Sequence, residues 1–247
     1  MGDHNDREAG YVPLVYHTKR LAFDAGLDGT GLLLERFVAA LPSDIQTLII
    51  DYPRVVASLE EHAATVAAQL PSARVTLLAE SFSGIVALHL LRNRQVSVEK
   101  IIFIASFGSA PQAYLKAFTF LLPTMLRLTP LIPIAAWRYL CLSPETPASD
   151  IAWVKGVVAQ VPTNVLAHRL KLVASAKIVD GNAIDVPAYY IQPEEDRLIP
   201  PTAAEQLLGM FRHFTLLHVP GPHFLLQSSP TVCAQLIADI VLDAPAK

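Results

Sequence analysis

The sequence predicts an α/β domain: a mostly parallel central sheet with helices on both faces, plus a helical insertion over one edge. Three observations predict it. Short apolar runs of strand length alternate with longer runs of helical spacing. The strand-like runs are continuously apolar rather than alternating, as strands covered on both faces are. Between 106 and 184 the strand rhythm stops, and short helix-like pieces punctuated by prolines replace it.

In chain order, 20–24 reads as a strand leading into a glycine loop, and 47–52 as a strand whose run is stopped by Pro53. Helical spacing covers 55–70, a third strand covers 74–79, a helix 84–94, and a fourth strand 100–105. Strand–helix–strand order with short links implies right-handed crossovers. The insertion carries helix-like pieces at 112–122, 132–140, 148–160 and 163–175. It reads as a lid over a site, or else as ordinary peripheral helices; a long helical excursion between strands usually covers a site. The sheet pattern then resumes with strands at 186–191 and 213–219 and helices at 202–211 and 230–242. No internal repeat is present. Residues 1–247 are expected to form a single domain, with 106–184 as a lid or cap within it.

Composition narrows the function. Of 247 residues 52% are hydrophobic and 17% charged, enough for a substantial core. The apolar surplus points to an apolar pocket or lid, or simply to a well-filled core. A formal net charge of −3 leaves no basic excess for nucleic acid, and no Lys/Arg cluster suits an anionic membrane. The two cysteines, Cys141 and Cys233, have no metal-like spacing and read as small buried hydrophobes in a reducing compartment. Residues 1–10 are polar, unlike a secretory signal. The most apolar stretch, 117–142, is broken by Pro123, Arg127, Pro130, Pro133 and Arg138, short of the roughly 18 apolar residues that a membrane span needs. A cytoplasmic protein without stable membrane insertion is expected.

The candidate nucleophile is Ser81, in Ala79-Glu-Ser-Phe-Ser83. A strand ends, a serine follows and a helix begins at once, the setting of a nucleophile elbow. Such a turn requires small residues two before and two after the serine. Ala79 and Ser83 satisfy this for Ser81, whereas Ile85 would crowd Ser83. A serine here is also a common helix cap. The candidate base is His223, just beyond the Pro-Gly-Pro loop after the last strand; His218 falls within that strand. For the orienting acid, Glu194, Glu195 and Asp196 compete in one turn, which could equally be a solvated acidic loop. Asp196 is favoured because Leu198 and Ile199 after it would pack the loop back on the body. It would fix the imidazole tautomer. The loop after the first strand, with Gly26, Gly29 and Gly31, suits an oxyanion hole, with the Leu27 and Phe82 N–H groups as donors. Its glycines fit no dinucleotide or phosphate-loop spacing. Asp28 and Thr30 line its entrance or hold it by local hydrogen bonds.

These features, Gly26-Leu-Asp-Gly29, Ala79-Glu-Ser-Phe-Ser83, Glu195-Asp-Arg-Leu-Ile-Pro200 and Gly221-Pro-His223, resemble the α/β-hydrolase superfamily over roughly 14–242, apart from the insertion. The order Ser, Asp, His is that of this fold. The chain departs from the commonest pattern at Ala25, where many members have histidine before the glycine, and at Glu80, where many have histidine before the nucleophile. The resemblance implies a serine hydrolase acting on an ester or thioester, without a cofactor or metal. An acyltransferase using the same triad, or a non-catalytic small-molecule-binding member, would share these features. Phe118, Phe120, Leu121 and Trp137 suggest an apolar substrate group, with Gly26, Asp28 and Trp137 as substrate-binding candidates.

Overall fold

The computed structural model describes residues 19–24, 26–93, 96–111, 133–178 and 181–243. Six strands form one sheet: β1 (Lys19–Asp24), β2 (Ile45–Ile50), β3 (Val75–Glu80), β4 (Val98–Ile104), β5 (Ala188–Pro193) and β6 (Phe214–Val219). Their order is β2-β1-β3-β4-β5-β6, with every neighbouring pair parallel. Between these strands run α1 (Glu35–Ala40), α2 (Leu59–Gln69), α3 (Ser83–Arg92), α4 (Ile134–Leu140), α5 (Ala148–Val158), α6 (Thr163–Ser175) and α7 (Thr202–Leu208). After β6 come the one-turn α8 (Leu225–Ser228) and α9 (Pro230–Val241).

Two apolar layers sandwich the sheet. On one face α2, α3 and α7 bury Val66, Leu88 and Leu207 against Leu77 and Phe103. On the other, α1 and α9 bury Phe37 and Ile237 against Phe23, Leu78 and Ile102. Leu77 and Leu78 point to opposite layers and are both fully buried, each contributing about 1.5–3 kcal/mol. Two-faced covering holds for the central strands, and β3 is buried at every position. It does not extend to the borders: Ile49 on β2 and Leu216 on β6 are exposed because edge strands outreach the helices.

Several boundaries shift for local reasons. Helix α2 begins at Leu59, not 55, because Ser58 and Glu61 form a capping box. Strand β5 starts at Ala188, since Pro187 has no N–H for the ladder; its carbonyl accepts from Ile101. Helix α7 stops at Leu208 before Gly209. The short helices α1 and α8 carried too few periodic residues to be expected. The helix expected at 112–122, with Phe118, Phe120 and Leu121, lies outside the described residues.

The chain turns away from β1 to opposite sides at β2 and β3. Such a reversal opens a crevice at the carboxyl ends of the strands. The loops after β1 and β3 border that crevice. The described helices between β4 and β5 reach the same end of the sheet at three points. Arg169 on α6 donates to the Leu27 carbonyl, Phe224 N–H donates to the Cys141 carbonyl, and Arg197 donates to the Tyr139 carbonyl.

Candidate active site

The turn after β3 begins with Ser81, whose φ of 54° lies in the left-handed region. A non-glycine residue there is strained by about 1–3 kcal/mol and persists only where its surroundings over-determine it. They do so here. Ser81 N–H donates to Ile104 O at 2.9 Å, Gly84 N–H donates to Ser81 O at 3.1 Å, and Ser106 Oγ donates to Ser81 O at 3.0 Å. Ser83 Oγ donates to Glu80 O at 2.8 Å. Ala79 and Ser83 are both fully buried, so the turn has no room for larger flanking side chains. A Cβ on Gly84 would sit 1.6 Å from Ser106 Oγ, so the start of α3 requires glycine to approach β4 this closely.

The structure brings Ser81, His223 and Asp196 together from the carboxyl ends of β3, β6 and β5. His223 Nε2 lies 3.1 Å from Ser81 Oγ, and His223 Nδ1 lies 2.8 Å from Asp196 Oδ2. An ionised carboxylate only accepts, so Nδ1 carries the proton and Nε2 of the neutral ring accepts from the Ser81 hydroxyl. The Asp196 side chain is 3% exposed, and its Oδ1 accepts from the Leu198 and Ile199 N–H groups at 2.8 and 2.9 Å. Those bonds orient the carboxylate. Glu194 and Glu195, by contrast, are exposed.

Beside Ser81 lies a cavity of about 360 Å³, lined by Leu33, Phe107, Trp137, Leu166 and Phe224 among others. Gly26, Leu27, Asp28, Glu80, Phe82 and Cys141 also border it. Neither the Leu27 nor the Phe82 N–H donates to another group among the described residues. Asp28 Oδ2 accepts from both the N–H and the hydroxyl of Thr30, so it ties the loop to itself. Cys141 is only half-buried and faces the cavity, unlike the enclosed Cys233. Burial, with Asp196 adding to it, pushes the Cys141 thiol up to about 12, so no thiolate competes as nucleophile near neutrality.

Sequence reasoning left Glu80 without a role. It is buried, with Oε2 accepting from Gln227 Nε2 at 3.3 Å and Oε1 unpartnered among the described residues. Burial pushes its carboxyl from 4.5 up to about 7, against the opposing pull of His223 and Gln227. Between those two values the folded chain holds a proton that the unfolded chain has released. Stability therefore falls as pH rises through that window, by about 3 kcal/mol once the carboxylate is fully ionised. Glu80→Gln should then melt roughly 5–10 °C above the native protein at pH 8.5 and close to it at pH 4.5. A variant that melts level with the native protein at both pH values in a thermal scan would mean that the folded site does not disfavour the charged form.

Among the described residues no helix is long and apolar enough to cross a membrane. No group of three or more His, Cys, Asp or Glu among them is arranged to hold a metal.

Known proteins share this fold. The chain's architecture is similar to an esterase from Exiguobacterium antarcticum, with a TM-score of 0.80 and 16% identity over 91% of this chain and 92% of that one. It is similar to a hydrolase from Oleispira antarctica, with a TM-score of 0.70 and 16% identity over 91% and 90% of the two chains. A type II thioesterase from the borrelidin biosynthetic cluster matches with a TM-score of 0.67 and 17% identity over 91% and 93%. No curated protein matches the sequence at a significant level. The model of the alpha/beta hydrolase family matches residues 10–236, and the chain is a member of that family.

Proposed function

We propose that the protein is a serine hydrolase that cleaves a carboxylic ester or thioester through an acyl-enzyme. The carrying observation is the hydrogen-bonded relay Ser81–His223–Asp196, spaced 3.1 and 2.8 Å, at the wall of a largely apolar cavity. In this reading His223 Nε2 takes the Ser81 proton as Oγ attacks the acyl carbon. The Leu27 and Phe82 N–H groups receive the oxyanion. His223 then protonates the leaving alcohol or thiol, an activated water attacks the acyl-enzyme, and the acid departs. Each step uses protein groups and water alone. Asp196 fixes the imidazole tautomer and stabilises the imidazolium.

The cavity volume sits at the lower end of small-molecule sites, and its walls suit an apolar acyl or alcohol group. The esterase and thioesterase structures of the same fold support either leaving group. We read 106–184 as a cap, because its described helices bond to the loops after β1, β5 and β6. The test is turnover of p-nitrophenyl esters of graded acyl length, with fluorophosphonate labelling of Ser81 located by mass spectrometry. Turnover and labelling at Ser81 are expected, with kcat/KM peaking at the chain length that fills the cavity. A folded protein that neither labels nor turns over any ester would overturn the reading.

A further inference from the structure

Arg169 lies on α6, within the segment between β4 and β5, yet its guanidinium reaches the loop after β1. It is 1% exposed. Nη1 donates to Leu27 O at 2.8 Å and Nη2 donates to Pro53 O at 3.2 Å, while the guanidinium carbon lies 5.3 Å from the Tyr52 ring centroid. Among the described residues no carboxylate lies within ion-pair distance of it, and Nε has no partner. A buried cation bonded to carbonyls and a ring face, with the Asp28 carboxylate acting on it only from beyond ion-pair distance, is costly, and an apolar side chain of similar volume would fill the space without that cost. Its value must lie in what it holds.

What it holds is the carbonyl of Leu27, a residue that borders the cavity and whose N–H has no hydrogen-bond acceptor among the described residues. The two peptides around Leu27 are fixed separately. Gly29 N–H bonds Gly26 O at 3.1 Å, which turns the Gly26–Leu27 N–H the opposite way. Arg169 fixes the following peptide through Leu27 O. Gly29, at φ 70°, leaves the space the guanidinium uses: a Cβ there would lie 2.4 Å from Arg169 Nη1. Charge-assisted bonds of this kind are stronger than neutral ones and hold geometry more firmly.

We propose that Arg169 is a positioning residue for the oxyanion hole, clamping Leu27 so that its N–H stays aimed at the acyl oxygen. Assembly of the hole thereby depends on the docking of α6. The proposal rests on the serine-hydrolase reading above. In that chemistry Ser81 Oγ bonds to the acyl carbon, its proton passes to His223, and the carbonyl oxygen becomes the anion that the two N–H groups receive.

The test compares native protein with Arg169→Met and Arg169→Lys, using p-nitrophenyl butyrate and propyl trifluoromethyl ketone, whose serine adduct places an alkoxide in the hole. Arg169→Met should lower kcat by about 10–100-fold with KM changed by less than about twofold, and weaken the ketone by the same factor as kcat/KM. Arg169→Lys retains one donor for Leu27 O and should recover most of the loss; it also serves if the Met variant does not fold. A loss carried by KM, or by the folded fraction alone, or kinetics unchanged in both variants, would overturn the clamp while leaving the hydrolase reading intact. Native protein that neither turns over nor forms the ketone adduct would overturn both.

Discussion

Ser81→Ala is expected to lower kcat on any ester substrate by about 10⁴-fold or more and to leave the fold in place. Everything that holds the strained turn is independent of the lost hydroxyl: the bonds run from the Ser81 N–H to Ile104 and to the Ser81 carbonyl from Gly84 and Ser106. The hydroxyl's own bond goes to His223. Removing it takes away the proposed nucleophile and little else, so the thermal midpoint should stay within a few degrees. Ser83→Ala is the matched control. Its hydroxyl caps Glu80 O at 2.8 Å inside the protein, so about 1 kcal/mol of stability should go while most turnover survives. Steady-state kinetics and melting on both variants check this; an inactive Ser83→Ala beside an active Ser81→Ala would move the nucleophile two residues on.

Asp196→Asn should be nearly as damaging, about 10⁴-fold in kcat, for a reason written in its hydrogen bonds. Oδ1 accepts from two backbone N–H groups, Leu198 and Ile199. The carboxamide oxygen must stay there, because an NH₂ cannot accept. The new NH₂ then replaces Oδ2 and points its donor at His223 Nδ1. Nδ1 must give up its proton to accept, the proton moves to Nε2, and the ring can no longer take one from Ser81. Glu194→Gln and Glu195→Gln, both on exposed side chains, should leave kcat within about twofold. Comparable losses at all three positions would remove the case for one orienting acid.

The central sheet was legible because β3 and β4 carry the continuous apolar runs Leu77–Ala79 and Ile101–Ile104, which are buried on both faces. The borders of β2 and β6 were not, since an apolar residue such as Leu216 reads the same whether or not a helix reaches it. Ser81 could be picked from Ser83 by size alone: the turn has no space for a branched side chain. Choosing among three adjacent carboxylates rested on the pull of Leu198 and Ile199 toward the body; Ile199 is buried. Arg169 was not legible at all. An arginine in an amphipathic helical run reads as solvent-facing, and only the three-dimensional approach of α6 to Gly29 gives it another environment. Glu80 could be noticed as unusual beside the serine, but its neighbour Gln227 lies far along the chain and becomes a partner only through folding.

The pairing of β5 with β6 does not stop where the strands do. Glu194 N–H bonds Val219 O at 3.0 Å and Glu195 N–H bonds Gly221 O at 2.9 Å, carrying the ladder into the two loops that bear Asp196 and His223. The carboxylate and the imidazole thus ride on one stiff backbone frame, whereas Ser81 sits two strands away beyond β4. The imidazole–carboxylate contact therefore spans one strand pairing, whereas the serine–imidazole contact spans three.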